Sequence, residues 1–168
     1  AVILSYNKQT GDWEGAGAQL GKPPILISDW AEESRITDDG FSEAAADSIF
    51  ASLVQFDKQF NGKLLHSPLH FIGHSRGTVV NSEIIQRLGT YFPDVRDIQM
   101  TTLDPHDFVQ PSLDVGTFRF GDLRDPEVSV WENVSFADNY YQEVGAVSGV
   151  TEFDFVPNGR ALPGANRN

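Results

Sequence analysis

Short apolar runs alternate with amphipathic stretches along the chain. AVILSY at the start and PILISDW from Pro24 have the length and β-branched content of strands. Between them TGDWEGAGAQLGKPP, rich in glycine and closed by two prolines, reads as loop. After the polar connector AEESRITDDG, the residues Ala46, Ile49, Phe50, Leu53 and Val54 recur at helical spacing. Ser42 is the candidate cap of that helix, Glu43 suits its first turn, and Asn61-Gly62 should end it just after Phe60. LHFIG predicts a third strand and GTVVNSEIIQRLG a second helix, with Val80, Ile84 and Leu88 on one face and Gly89 as its closing residue. DIQMTTLD predicts a fourth strand that stops at Asp104-Pro105, because proline cannot continue a ladder. EVSVWENVSFADNYYQ holds the best later strand.

Strands alternating with helices imply an α/β fold: a mostly parallel sheet with helices on both faces, built as one domain over residues 1–168. In such sheets active groups gather where loops leave the carboxyl ends of the strands. Ser75 and Asp104 each end a predicted strand, and the two strands are consecutive.

Composition narrows the partners. The chain of 168 residues is 40% hydrophobic and 21% charged, and it has no apolar run approaching the ~20 residues of a membrane helix. Twelve Lys and Arg stand against twenty-four Asp and Glu, a formal charge of −12, which disfavours nucleic acid and anionic membrane surfaces and favours a small neutral substrate. With no cysteine, thiol nucleophiles, thiolate metal sites and disulfides are excluded.

Gly73-His74-Ser75-Arg76-Gly77 carries the chemistry. A serine between glycines at this spacing, with a strand before it and a helix after it, fits a nucleophile elbow, in which a Cβ at either flank is expected to collide with the turn. The Arg76 N–H would then lie at a helix N-terminus, where developing negative charge is favoured, as half of an oxyanion hole; its side chain need take no part. Asp104 is the expected acid and Asp107 its rival in the same loop. A serine hydroxyl also needs a base. His66, His70 and His74 precede or adjoin the serine, and His106 lies two residues beyond Asp104. The spacing of the first three by four residues would make a metal face only on a helix, and here they fall on a strand, so neither a metal nor another cofactor is expected. Asp38, Asp39, Asp122 and Asp125 lack the spacing of a calcium loop and read as solvated surface. Asn133-Val134-Ser135 matches a glycosylation acceptor within a predicted strand.

SPLHFIGHSRG leading into a helix, followed by a strand ending LDPHD, resembles the serine α/β-hydrolases of the bacterial lipase and esterase type over about residues 25–107. The resemblance implies hydrolysis of a small-molecule ester through an acyl-enzyme, with Ser75 as nucleophile, Asp104 as acid and Arg76 as an oxyanion donor. It also implies a His-Gly element before the first helix and a histidine in a loop after the last strand. Neither occurs here, so the chain reads as the central portion of such an enzyme, with the base expected beyond Asn168 and His106 as the alternative. A thioesterase or peptidase would use the same constellation, and a non-catalytic binding or assembly module could keep the elbow for packing alone.

Overall fold

The structure, a computed structural model, describes residues 1–15, 22–30, 40–105, 107, 114–115, 118–119, 125–142 and 159–168. In chain order the elements are β1 (Val2–Asn7), β2 (Asp12–Glu14), β3 (Pro24–Ile27), α1 (Phe41–Gln59), β4 (Leu69–His74), α2 (Gly77–Tyr91), β5 (Ile98–Leu103), β6 (Asp114–Val115), β7 (Phe118–Arg119) and β8 (Val134–Tyr140). The ladders fall into three sheets, ordered β2-β1-β3, β4-β5-β8 and the two-residue antiparallel pair β6-β7. The β4-β5-β8 sheet is parallel throughout, as the alternation of strand and helix requires.

β2 lies within the segment expected to be loop. The Asn7 carboxamide oxygen accepts the Gln9 N–H at 2.9 Å, Gly11 at φ 75° donates to the Asn7 carbonyl, and the chain folds back to pair Tyr6 with Trp13. Their rings stand 5.3 Å apart, a cross-strand aromatic pair that stabilises so short a hairpin. Two helix ends also differ from expectation. α1 begins at Phe41 behind Gly40 at φ 81°, with no side-chain cap, and the Ser42 hydroxyl is used elsewhere. α2 runs past Gly89 and ends at Tyr91, before Pro93. Gly89 serves packing instead: a Cβ there would lie 3.3 Å from the Asn133 carboxamide, whose nitrogen donates to the Ile85 carbonyl at 3.0 Å. Asn133 is thus buried and bonded, not displayed as a glycosylation site.

Strand alternation sets the core. Leu69 and Phe71 of β4 and Ile98 and Met100 of β5 face Ala46 and Leu53 of α1 and Val79, Ile84, Ile85 and Leu88 of α2 in one cluster. Arg87 of α2 binds Asp47 of α1 at 2.6 Å and Glu83 at 2.8 Å. Burial lowers the proton affinity of its guanidinium, and the bonds to Glu83 and Asp47 outweigh that and raise it above the ordinary arginine range. α2 packs along β4, and α1 packs against α2 and β2. On the opposite face of the β4-β5-β8 sheet Ile72 is 61% exposed and Tyr140 55%, so the helix layer expected over that face is not found there among the described residues. Ile3, Ile25 and Ile27 are likewise exposed on β1 and β3. No described helix is long and apolar enough to cross a membrane.

This one-sided burial sets an expectation for stability. Ile85→Ala should cost about 2–5 kcal/mol by transfer and cavity terms, whereas Ile72→Ala should change stability by less than about 0.5 kcal/mol, both read from chemical denaturation of the full chain.

Candidate active site

Strand β4 ends at His74, paired with Leu103 at the end of β5, and Leu103 pairs in turn with Tyr140 at the end of β8. The residues that follow the first two, Ser75 and Asp104, are therefore neighbours at one sheet edge, about one strand spacing of 4.8 Å apart along the hydrogen-bonding direction. Ser75 donates its N–H to the Leu103 carbonyl at 2.9 Å, and Asp104 donates its own to the Tyr140 carbonyl at 2.6 Å. Both occupy the left-handed region at φ 53°. Among the described residues the only other non-glycine with positive φ is Asn61, at the end of α1, where asparagine tolerates that conformation.

The serine turn is held from several sides. The Ser75 carbonyl accepts the Thr78 N–H at 3.0 Å and its hydroxyl at 2.6 Å, which fixes the peptide joining Ser75 to Arg76. The two glycines are not equivalent, contrary to the symmetrical expectation. A Cβ on Gly73 would lie 2.6 Å from the Gly77 carbonyl oxygen and 2.9 Å from the Asn81 amide, whereas one on Gly77 would meet nothing nearer than the Trp30 indole nitrogen at 3.9 Å. Gly73 is required because α2 starts against it. Gly77 matters for its backbone, which makes that contact.

The two aspartates separate clearly. Asp104 Oδ1 accepts the backbone N–H groups of Gly159 at 2.8 Å and Gln142 at 3.2 Å, and Oδ2 accepts none among the described residues. A Cβ on Gly159 would sit 2.5 Å from that Oδ1, so only glycine fits beside the carboxylate. Asp107 is fully buried, bound through both oxygens to the Arg160 guanidinium, and accepts the Val128 N–H at 3.0 Å. Its lone pairs are committed to structure, whereas Asp104 keeps an oxygen with no bond among the described residues. Arg160 also adjoins Gly159, so this ion pair anchors the segment that steadies Asp104.

Arg76 is the N-cap residue of α2, and its side chain is buried. It is bound to Asp125, which is 3% exposed in its side chain and so is not the solvated residue expected of that acidic loop. Asp38, Asp39, Asp122 and His106 lie outside the described residues. His66, His70 and His74 are exposed, and no hydrogen bond joins any of them to Ser75 or Asp104; His70 Nε2 instead meets Thr101 Oγ1 at 2.8 Å, which donates to Asp138 at 2.7 Å. Among the described residues no group of histidines and carboxylates is placed to hold a metal. Ser42, Asp125, Gly159 and Arg160 were invisible as site residues in the sequence, because each acts through a contact more than thirty positions away. Thr78, three residues beyond the serine, was the one such residue within local reach.

No family model matches the chain, and neither a curated protein nor a solved structure matches it significantly.

The geometry assigns different costs to similar substitutions. Gly73→Ala should destabilise by about 1–3 kcal/mol through overpacking, and Gly77→Ala should be neutral or stabilising by up to about 1 kcal/mol, since helix backbone entropy then dominates. Equilibrium unfolding of both variants decides it; equal losses would contradict the contact. Asp107→Ala should cost about 3 kcal/mol, the low end for breaking a buried pair because Arg160 keeps Glu127, with Asp104→Asn within about 1 kcal/mol of the parent.

Proposed function

We propose that this chain carries the nucleophile and acid of a serine hydrolase acting on carboxylic esters. The observation behind the reading is the pair of left-handed residues at adjacent strand ends, Ser75 and Asp104. For Ser75 that conformation costs of order 1–3 kcal/mol and survives only where surroundings impose it, whereas aspartate enters it more readily, so the strain falls on the residue that would be the nucleophile. In this reading Ser75 Oγ attacks the ester carbonyl carbon while a histidine takes its proton. That proton passes to the departing alcohol, and water then releases the acid from the acyl-enzyme by the same route. The Arg76 N–H bonds the oxyanion. Asp104, with Oδ1 held by two backbone amides, offers Oδ2 to the imidazole. The base is His106 or a histidine beyond Asn168.

A second reading has one observation in its favour: no described histidine bonds to Asp104, as in a hydrolase-like binding module whose elbow only packs. Fluorophosphonate labelling separates the two. The enzyme reading expects label on Ser75, loss of short-acyl ester hydrolysis in Ser75→Ala, and a fall of up to about four orders of magnitude in Asp104→Asn. His106→Ala should be inactive if His106 is the base and nearly unaffected if it is not. A full-length protein whose Ser75 resists the label and which hydrolyses no ester would leave the binding module.

A further inference from the structure

The Arg76 side chain has no part in the proposed chemistry, yet it is bound on several sides. Nε donates to Asp125 Oδ2 at 2.6 Å and Nη2 to Asp125 Oδ1 at 2.8 Å, a planar fork on a carboxylate. Nη2 also donates to Ser42 Oγ at 3.0 Å, and the Ser42 hydroxyl donates to Asp125 Oδ1 at 2.6 Å, which closes a three-residue ring of bonds. Cζ stands 5.8 Å from the centre of the Trp30 ring. Ser42 is fully buried and Arg76 and Asp125 nearly so. The network joins the first turn of α1, the segment after β3, the approach to β8 and the residue that follows the nucleophile. A guanidinium held this way is not a receptor for a charged substrate group.

What it can do is set a direction. The Ser75–Arg76 peptide is planar, so the orientation of the Arg76 N–H depends on the Ser75 carbonyl and the Arg76 Cα together. Thr78 holds the carbonyl end. The Asp125 fork holds the other end, through a side chain that cannot rotate without leaving a carboxylate buried and unpaired. We propose that Arg76, through Asp125 and Ser42, is a positioning residue that aims its own backbone N–H at the oxyanion. The proposal rests on the ester-hydrolase reading for its consequence in rate, and on geometry alone for its consequence in backbone order.

Arg76→Lys keeps the charge and loses the fork, Asp125→Asn weakens it, and Ser42→Ala removes one hydroxyl from the ring while sparing the ion pair. The test measures kcat and KM for p-nitrophenyl acetate on the full chain, well below each variant's unfolding midpoint, together with NMR hydrogen exchange of the amides of residues 75–78. Loss of an oxyanion donor lowers kcat by about 10²–10³, so misalignment in Arg76→Lys and Asp125→Asn should lower it by about ten- to a hundredfold, with KM changed less than about threefold. Ser42→Ala should show a smaller fall of the same kind, and it carries the test if the other two fail to fold. Exchange at residues 75–78 should accelerate relative to Ile84–Leu88 in the same helix. Folded variants with parental kcat and parental exchange overturn the proposal, as does a loss confined to KM. If the parent hydrolyses no ester, the hydrolase reading fails by itself, and the exchange comparison alone then upholds or overturns the positioning role.

Discussion

The approach of α2 to the end of β4 governs this molecule. The Gly77 carbonyl comes so close to Gly73 that no side chain fits at Gly73, and Ser75 between them turns from strand to helix in the left-handed region. The rest of the sheet edge follows. Ser75 bonds back to Leu103, Leu103 ends β5, and Asp104 turns in the same left-handed way as the strand register hands its N–H to Tyr140. Two adjacent strands thus finish level and turn together. That common ending places a serine and an aspartate at neighbouring strand ends through parallel pairing.

In so acidic a chain, cations are scarce, and two of the twelve are spent on buried carboxylates beside this edge. Arg76 takes Asp125 and Arg160 takes Asp107. A buried pair contributes little net stability against apolar residues of equal size, but losing one partner is costly, so the pair holds its neighbours in one arrangement. Both pairs act that way here. One connects the helix N-termini to the approach to β8, and the other draws the 159–168 segment onto Asp104 and along β8, where Asn139 and Asn166 exchange backbone bonds with Arg167 and Ala137. The same segments bury Val128 and Leu162 in the core, so charge pairing and packing locate them together.

The burial is lopsided. α1 and α2 share one cluster with the inward residues of β4 and β5, and on the outward face Ile72 of β4 and Tyr140 of β8 are exposed. A parallel sheet ordinarily buries both faces, which is why alternation of strands and helices led to an expectation of helices on each side. Element order says that helices will pack on a sheet. It does not say which side each crossover takes.

Local pattern alone determined a good deal. The periodicity of Ala46, Leu53, Val80, Ile84 and Leu88 placed both helices, the apolar runs placed β1, β3, β4 and β5, and a serine between two glycines marked the turn where Ser75 sits. These features depend on residues within a few positions of each other, so sequence spacing carries them. The β2 hairpin, the capping of α1 at its start, the end of α2 and the different duties of Gly73, Gly77 and Gly89 did not show, because each is settled by what packs against it. The different surroundings of Asp104 and Asp107 are likewise tertiary. Two aspartates three residues apart are equivalent on paper, and only the arrival of Gly159 and Arg160 from more than fifty residues away gives one an oxygen held by backbone amides and buries the other in an ion pair.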